Sequence, residues 1–372
     1  MLYSEIHGQE SLKTQLNQRL DKSGMAHSVL FSENEAHGAL ALALATATRI
    51  LCDNPSPTDA CGECRHCKKV AKLVHPDLHF VYPVIGSDKT SEDYWPQFRE
   101  LLLKHPWFNL NQWLQHLDSE NKQANIPAKE CALILQKMSL KPFEAPNKVL
   151  IIWLPEYLGK DGNRLLKLLE EPPGHTYIFA VTRNKHKILN TILSRCQEYH
   201  LIPLSVLQIS STLTDILPEM NPDEISLISR MAEGSVSTAL DISQAGNEKY
   251  FTTFRNWLLY AYKGDIKNMN AWSKSLHNFS KEQQKYFIRY SLQFLRTLQS
   301  MIIDPSREAM LDEQEFKTAN GLKKILSLQT IQTLVKQLDQ YHYYIERNAN
   351  TKILFMNLAI LAKKAFHDKA MV

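Results

Sequence analysis

Four cysteines stand close together in the first fifth of the chain. Cys52, Cys61, Cys64 and Cys67 follow the spacing C-x8-C-x2-C-x2-C. Thiolates are soft ligands, tetrahedral Zn2+ takes four of them, and a C-x2-C step lets two sulfurs of one turn reach the same ion. Here two such steps share Cys64, and Cys52 joins from the end of the preceding helical stretch. The spacing therefore predicts one structural Zn2+ in a closed four-sulfur site, from which no catalysis follows. An iron–sulfur cluster is the chemical rival, though no other redox feature accompanies it, and unrelated buried thiols are the bland alternative. His66 and His75 lie nearby, but four sulfurs complete the shell, so both are read as surface residues. Cys131 stands apart and reads as a small buried hydrophobe.

A second group of residues runs from Lys148 to Cys196. It reads as a buried strand, a helix, a second strand and a turn that ends in Ser194-Arg195-Cys196. It reads like the second half of an ATPase, and a chain of that kind should carry a phosphate-binding loop upstream. That loop needs glycines whose neighbouring N–H groups face phosphate, a Lys for the β- and γ-phosphates and a Ser or Thr for Mg2+. Residues 31–38 read FSENEAHG instead. They offer one late glycine, Gly38, and two carboxylates, Glu33 and Glu35, that would repel phosphate. No Lys-Ser or Lys-Thr pair follows. Acids that should end the strand and hold Mg2+ are also missing, because Ile151-Ile152 is followed by Trp153-Leu154, and Glu156 comes three residues late. No ATP binding is expected. Pro172 and Pro173 stop the helix before them. Glu170 and Glu171 are read as structural, since adjacent helical positions do not face each other. Lys185, His186 and Lys187 read as a solvated basic loop.

The elements that must position these groups follow from periodicity. Residues 1–25 carry Leu12, Leu16 and Leu20 four apart and read as an amphipathic helix. Residues 27–31 form a short buried strand, 38–51 an Ala- and Leu-rich helix, 78–82 a strand and 127–140 a helix. The runs 149–153 and 177–181 are continuously apolar, as in a parallel sheet covered on both faces. Between them, residues 86–125 are less regular and carry Trp95, Trp107 and Trp113; they read as an insertion whose rings cover a neighbouring surface. Beyond Pro203 the pattern becomes helical throughout. With 372 residues, more than one core is expected. A hydrophobic share of 44% and a charged share of 22% are those of a soluble globular chain. A net charge of +4 permits nucleic-acid contact without arguing for it. The first residues lack an apolar signal core, and the longest apolar run, 39–45, is far short of the roughly 20 residues of a membrane span. A cytoplasmic, membrane-free chain is expected, where disulfides do not persist.

The runs Gly162 to Pro173 (GNRLLKLLEEPP) and Thr191 to Cys196 (TILSRC) closely resemble the clamp-loader branch of the AAA+ ATPases, the loader subunits of bacterial DNA polymerase III. The resemblance covers residues 1 to about 245. The early strand at 27–31, the four-cysteine module, His75-Pro76-Asp77 after it and Glu233 to Leu240 (EGSVSTAL) all agree with it. Ser237 stands where active subunits carry a sensor arginine. The resemblance implies an AAA+-like α/β domain with a parallel sheet over 1–204, holding the zinc module at 52–67 and the insertion at about 86–125. It implies a small helical lid domain over 205–245 and an all-α collar domain over 246–372. The implied role is that of a non-catalytic loader subunit. Arg195 would act in trans as an arginine finger on a neighbour's ATP site, and Ser194 and Cys196 would set the turn that presents it. Implied partners are a gamma/tau-like ATPase subunit and a delta-like subunit, with the sliding clamp and primed DNA met through the complex. Two other readings exist. An active gamma/tau-like ATPase with an aberrant loop conflicts with the missing Lys and acids. A zinc-dependent nucleic-acid-binding regulator leaves Asn163 to Cys196 unexplained.

Overall fold

The apolar runs of the first half assemble into one parallel sheet. The computed structural model describes residues 1–367 apart from 23, 35–36, 120–121, 246, 280, 304–310, 312 and 348. Its strands are β1 (Ser28–Ser32), β2 (Leu78–Val81), β3 (Val84–Ile85), β4 (Ala124–Asn125), β5 (Lys148–Trp153), β6 (Thr176–Thr182) and β7 (Gln197–His200). Five of them pair in the order β2-β5-β6-β1-β7, all parallel. Every residue of β1 and β5 is buried, as continuous apolar strands require when helices cover both faces. Two central strands were thus legible as uninterrupted apolar runs. The edge strand β7 was not: Glu198 and His200 face solvent and Tyr199 alone of its four residues is buried, so no apolar run marks it.

The helices of this part are α1 (Glu10–Asp21), α2 (Ala39–Leu51), α3 (Arg65–Ala71), α4 (Trp95–Lys104), α5 (Leu110–His116), α6 (Ala128–Ser139), α7 (Leu166–Glu170) and α8 (Asn190–Leu193). Leu30, Leu150, Ile152, Ile178 and Ala180 form one sheet face, on which Ile134 and Met138 of α6, Leu168 and Leu169 of α7 and Ile192 of α8 pack. α2 lies against β1, β5 and β6. Its Ala and Leu residues are buried along its whole length.

The antiparallel pair β3–β4 closes the base of the insertion, with Val84 opposite Asn125 and Ile85 opposite Ala124. Between them α4 and α5 carry an aromatic cluster. The Phe98 ring stacks on Tyr82 at 3.7 Å and lies 5.3 Å from Trp113, 5.5 Å from Phe108 and 5.8 Å from Trp153. The insertion therefore buries its rings against the carboxyl ends of β2 and β5 as well as against one another.

Helices α9 (Val206–Ile216), α10 (Pro222–Met231) and α11 (Val236–Ala245) follow. Contacts divide the chain into two compact units, Met1–Leu240 and Asp241–Val372. The second is helical among its described residues: α12 (Asn247–Lys263), α13 (Ile266–His277), α14 (Lys281–Ile303), α15 (Glu313–Lys323), α16 (Leu328–Glu346) and α17 (Thr351–His367). Its core is aromatic, with Trp257 stacked on Trp272 at 6.0 Å and Phe287 and Phe355 packed edge-on beside them. No described helix is long and apolar enough to cross a membrane.

Candidate functional site

The four cysteines of the predicted metal module come together. Their sulfurs all lie within 4.8 Å of one another, and all four are free thiols. Cys52 leaves the end of α2, Cys61 follows a turn, and Cys64 caps the start of α3 so that Cys67 falls on its first turn. Sγ of Cys52 lies 3.5 Å from that of Cys61, which lies 4.0 Å from that of Cys67. Four sulfurs at about 2.3 Å from a tetrahedral Zn2+ stand roughly 3.8 Å apart, so the set fits the ion. Backbone amides already face the sulfurs: the N–H of Cys61 donates to Cys52 (3.3 Å), that of Cys64 to Cys61 (3.3 Å) and that of Cys67 to Cys64 (3.4 Å). The N–H groups of Cys64 and Glu63 bring the Cys61 thiol down to about 7. Burial and the neighbouring sulfurs of Cys64 and Cys52 hold the Cys67 thiol well above its ordinary range.

His66 and His75 are not surface residues, as the sequence suggested; both are buried. They form a hydrogen-bonded relay behind the cysteines. The backbone N–H of Asp77 donates to His75 Nδ1 (3.0 Å), which leaves His75 Nε2–H to donate to His66 Nδ1 (2.7 Å). His66 Nε2 lies 3.2 Å from Arg65 Nε and 3.3 Å from Asp53 Oδ1. Glu144 approaches both rings but is held by Lys69 at 2.5 and 2.6 Å. Two nitrogens on one ion at about 2.0 Å each would stand roughly 3.3 Å apart, so the 2.7 Å spacing is a hydrogen bond and not a second metal site. Asp77 completes the link to the sheet. Its carboxylate accepts the N–H groups of Phe143 (2.5 Å), Glu144 (2.8 Å) and Ala145 (2.9 Å) just before β5. Burial alone would raise its pKa, but these three donors outweigh it and hold the group below the usual carboxylate range.

The loop between β1 and α2 is arranged differently from its sequence reading. Glu33 does not stand off as a charge that repels phosphate. Its Oε2 accepts the backbone N–H of His37 (2.8 Å) and of Ala39 (2.9 Å) at the start of α2. Backbone amides at the start of a helix are donors that an anion such as phosphate can use. Gly38, with φ +113°, gives the backbone the left-handed turn that aims them inward. Burial raises the Glu33 pKa to about 7, against the pull of Arg183 and the amides of Ala39, His37 and Gly38. Glu35 lies outside the described residues.

Residues of the insertion close over this loop. A Cβ on Gly38 would lie 3.2 Å from the indole nitrogen of Trp107. The next residue, Phe108, packs on Trp153 at 4.9 Å, at the end of β5. Asn109 Nδ2 donates to Ser237 Oγ (2.7 Å), and that hydroxyl donates to Gln112 Oε1 (3.0 Å). His37 Nδ1 reaches the carbonyl of Gly234 (2.8 Å). Residues 107–112 thus lie among the loop, the end of β5 and the Ser237 motif. Glu156 is committed too: its Oε2 accepts the Thr182 hydroxyl (2.8 Å) and its Oε1 the N–H of Arg183 (3.3 Å), and burial raises its pKa. The polar identities of Asn109 and Gln112 carried no signal by themselves; only their partner across the fold marks them.

Arg195 sits in the turn between α8 and β7, where its N–H donates to the carbonyl of Ile192 (3.1 Å) and that of Cys196 to Leu193 (3.2 Å). Cys196 packs against the core face of α6 to α8, and burial pushes its thiol up to about 11. The Ser194 hydroxyl donates to the carbonyl of Thr191 (3.3 Å). One neighbour of Arg195 anchors the turn and the other closes it. Lys185, His186 and Lys187 are exposed, and Lys185 pairs with Glu198 at 3.1 Å.

The sequence profile of the DNA polymerase III, delta subunit family matches residues 8–205. The chain belongs to that family. Over 239 residues it is 26% identical to DNA polymerase III subunit delta' of Escherichia coli, covering 63% of this chain and 60% of that one. Over 246 residues it is 28% identical to subunit tau of Salmonella typhimurium, covering 65% of this chain and 32% of that one. A longer match, 354 residues at 23% identity, reaches subunit tau of Bacillus subtilis and covers 91% of this chain and 54% of that one. The chain thus spans about a third to three fifths of the length of these relatives. Its parallel sheet clad in helices and its helical C-terminal region agree with the AAA+-like architecture that its clamp-loader resemblance implied.

Proposed function

We propose that this delta-family chain is a non-catalytic subunit of the DNA polymerase III clamp loader, and that it helps to load the sliding clamp onto primed DNA. It binds no ATP itself. Its partners are a gamma/tau-like ATPase subunit and a delta-like subunit; the clamp and DNA are reached through the complex, in the cytoplasm. The observation that carries the reading is the Glu33 carboxylate on the amides of His37 and Ala39, with Trp107 against Gly38. A nucleotide phosphate and this carboxylate compete for the same donors. Arg195 is the contribution to a shared site: its guanidinium stabilises charge on the γ-phosphate held by the neighbour, and Ser194 and Cys196 fix the turn. Cys52, Cys61, Cys64 and Cys67 hold one structural Zn2+. The ion supplies a cross-link among three short segments and no chemistry.

Two measurements test this. Titration of the isolated chain with ATP and Mg2+ gives no binding isotherm; measurable affinity would overturn the reading. In a loader reconstituted from all its subunits, Arg195→Ala leaves assembly intact and cuts hydrolysis at the one site it faces by a factor on the order of 10³. Total DNA-stimulated turnover then falls by that site's share. Unchanged turnover excludes the finger role.

A further inference from the structure

Arg195 does not extend freely from its turn. Its Nε donates to Glu170 Oε1 at 2.6 Å, and Nη2 closes on the same oxygen. Nη1 donates to the carbonyl of Thr191 (2.7 Å) and lies 3.4 Å from Ser194 Oγ. A guanidinium has five N–H donors in a fixed fork. Glu170 takes the side edge, formed by Nε and Nη2. The Thr191 carbonyl takes a donor of Nη1. Ser194 Oγ takes the second donor of Nη1, which leaves one N–H of Nη2 for a phosphate oxygen. The side chain keeps 29% of its surface exposed and that of Glu170 keeps 48%, so the pair is open to solvent. An ion pair so exposed contributes little to stability. Its consequence is orientation: a long side chain that would otherwise sample many rotamers is held by three contacts.

We propose that Glu170 is the positioning residue for Arg195, holding the guanidinium by its Nε–Nη2 edge so that the remaining N–H of Nη2 is presented to a phosphate oxygen of the adjoining subunit. The proposal rests on the finger reading of Arg195. It also gives the Glu170-Glu171-Pro172-Pro173 run a role that the sequence left as structural. Glu170 is the last residue of α7, Glu171 its C-cap, and Pro172 and Pro173 follow. The prolines stop the helix where they do, which fixes where Glu170 stands relative to the turn after α8. Adjacent glutamates do not share a face; one of the two reaches Arg195.

The test is a double-mutant cycle in the reconstituted loader, read as kcat and KM for ATP in DNA-stimulated hydrolysis. Glu170→Ala lowers the rate at the affected site about tenfold to a hundredfold, the range expected when a reacting group is misplaced by about 1 Å. KM stays within about twofold, because Arg195 acts on charge that develops in the transition state. Glu170→Gln, whose amide oxygen still accepts from Nε and Nη2, restores most of the loss. The pair Glu170→Ala with Arg195→Ala is no slower than Arg195→Ala alone. Three results overturn the proposal while leaving the finger reading in place. These are a drop for Arg195→Ala with none for Glu170→Ala, a further drop when Glu170→Ala is added to Arg195→Ala, and equal loss in Glu170→Gln and Glu170→Ala. If Arg195→Ala itself changes nothing, the finger reading fails first and this proposal with it.

Discussion

Glu33 is open to a direct test, because the same carboxylate is buried, hydrogen-bonded to two amides and able to titrate near neutrality. Burial raises its pKa from 4.5 to about 7 in the folded chain. The folded protein therefore binds this proton more tightly than the unfolded chain does. The resulting stability is fully present below the unfolded value of 4.5 and is lost as pH rises through about 7. Between about pH 5 and about pH 8 the loss amounts to about 2.5 kcal/mol, since each tenfold difference in proton affinity between the folded and unfolded chain corresponds to about 1.4 kcal/mol. Glu33→Gln cannot titrate, and its amide oxygen still accepts from His37 and Ala39. Urea unfolding of the wild type and of Glu33→Gln at both pH values isolates the group, because other titrating residues cancel in the difference. That difference moves against the wild type by about 2.5 kcal/mol as pH rises. A difference that stays constant within about 0.5 kcal/mol would show that Glu33 titrates as an exposed acid, and the picture of a carboxylate buried on the amides of α2 would fall with it.

Two further outcomes follow from the cysteine module and its anchor. The purified chain carries about one zinc by elemental analysis, and Cys64→Ser loses most of it together with thermal stability; a wild-type chain without metal refutes the ligand assignment. Asp77→Asn puts an NH2 group where one carboxylate oxygen now accepts backbone N–H groups before β5. It leaves one or two buried donors unmatched and costs roughly 2–4 kcal/mol near neutral pH. The wild-type pKa is depressed, so this advantage is present above the ordinary carboxylate value and disappears as pH falls through the folded one. Equal unfolding free energies near neutral pH would refute the anchoring role.

The legible parts of the fold were those where burial writes a simple pattern. Residues 149–153 of β5 and 177–181 of β6 are continuously apolar because helices cover both faces, and α2 announces itself by its richness in Ala and Leu. β7 escaped because an edge strand exposes most of its side chains. The two-residue strands β3 and β4 are too short for any periodicity. Among site residues, the four cysteines could be grouped from spacing alone, because a local chain of C-x2-C steps limits how far apart the sulfurs can stand. Arg195 could be singled out because a motif surrounded it. His66 and His75 were misplaced at the surface: their burial depends on a hydrogen bond between two side chains nine positions apart, and nothing in either residue type announces it.

By itself the sequence determined residue types: no Lys-Ser or Lys-Thr between β1 and α2, Trp153-Leu154 rather than acids at the end of β5, a serine at position 237. Absence is a property of residue type and needs no coordinates. What surrounds those residues was decided by tertiary structure, because most of the partners come from a distance. Trp107 and Phe108 reach Gly38 and Trp153, Asn109 reaches Ser237 across 128 positions, and Glu170 reaches Arg195 across 25. Glu33 is the instructive case. Its charge alone argued for repulsion of phosphate, and the fold turned that same carboxylate inward onto the amides, where it becomes the group a phosphate would have to displace.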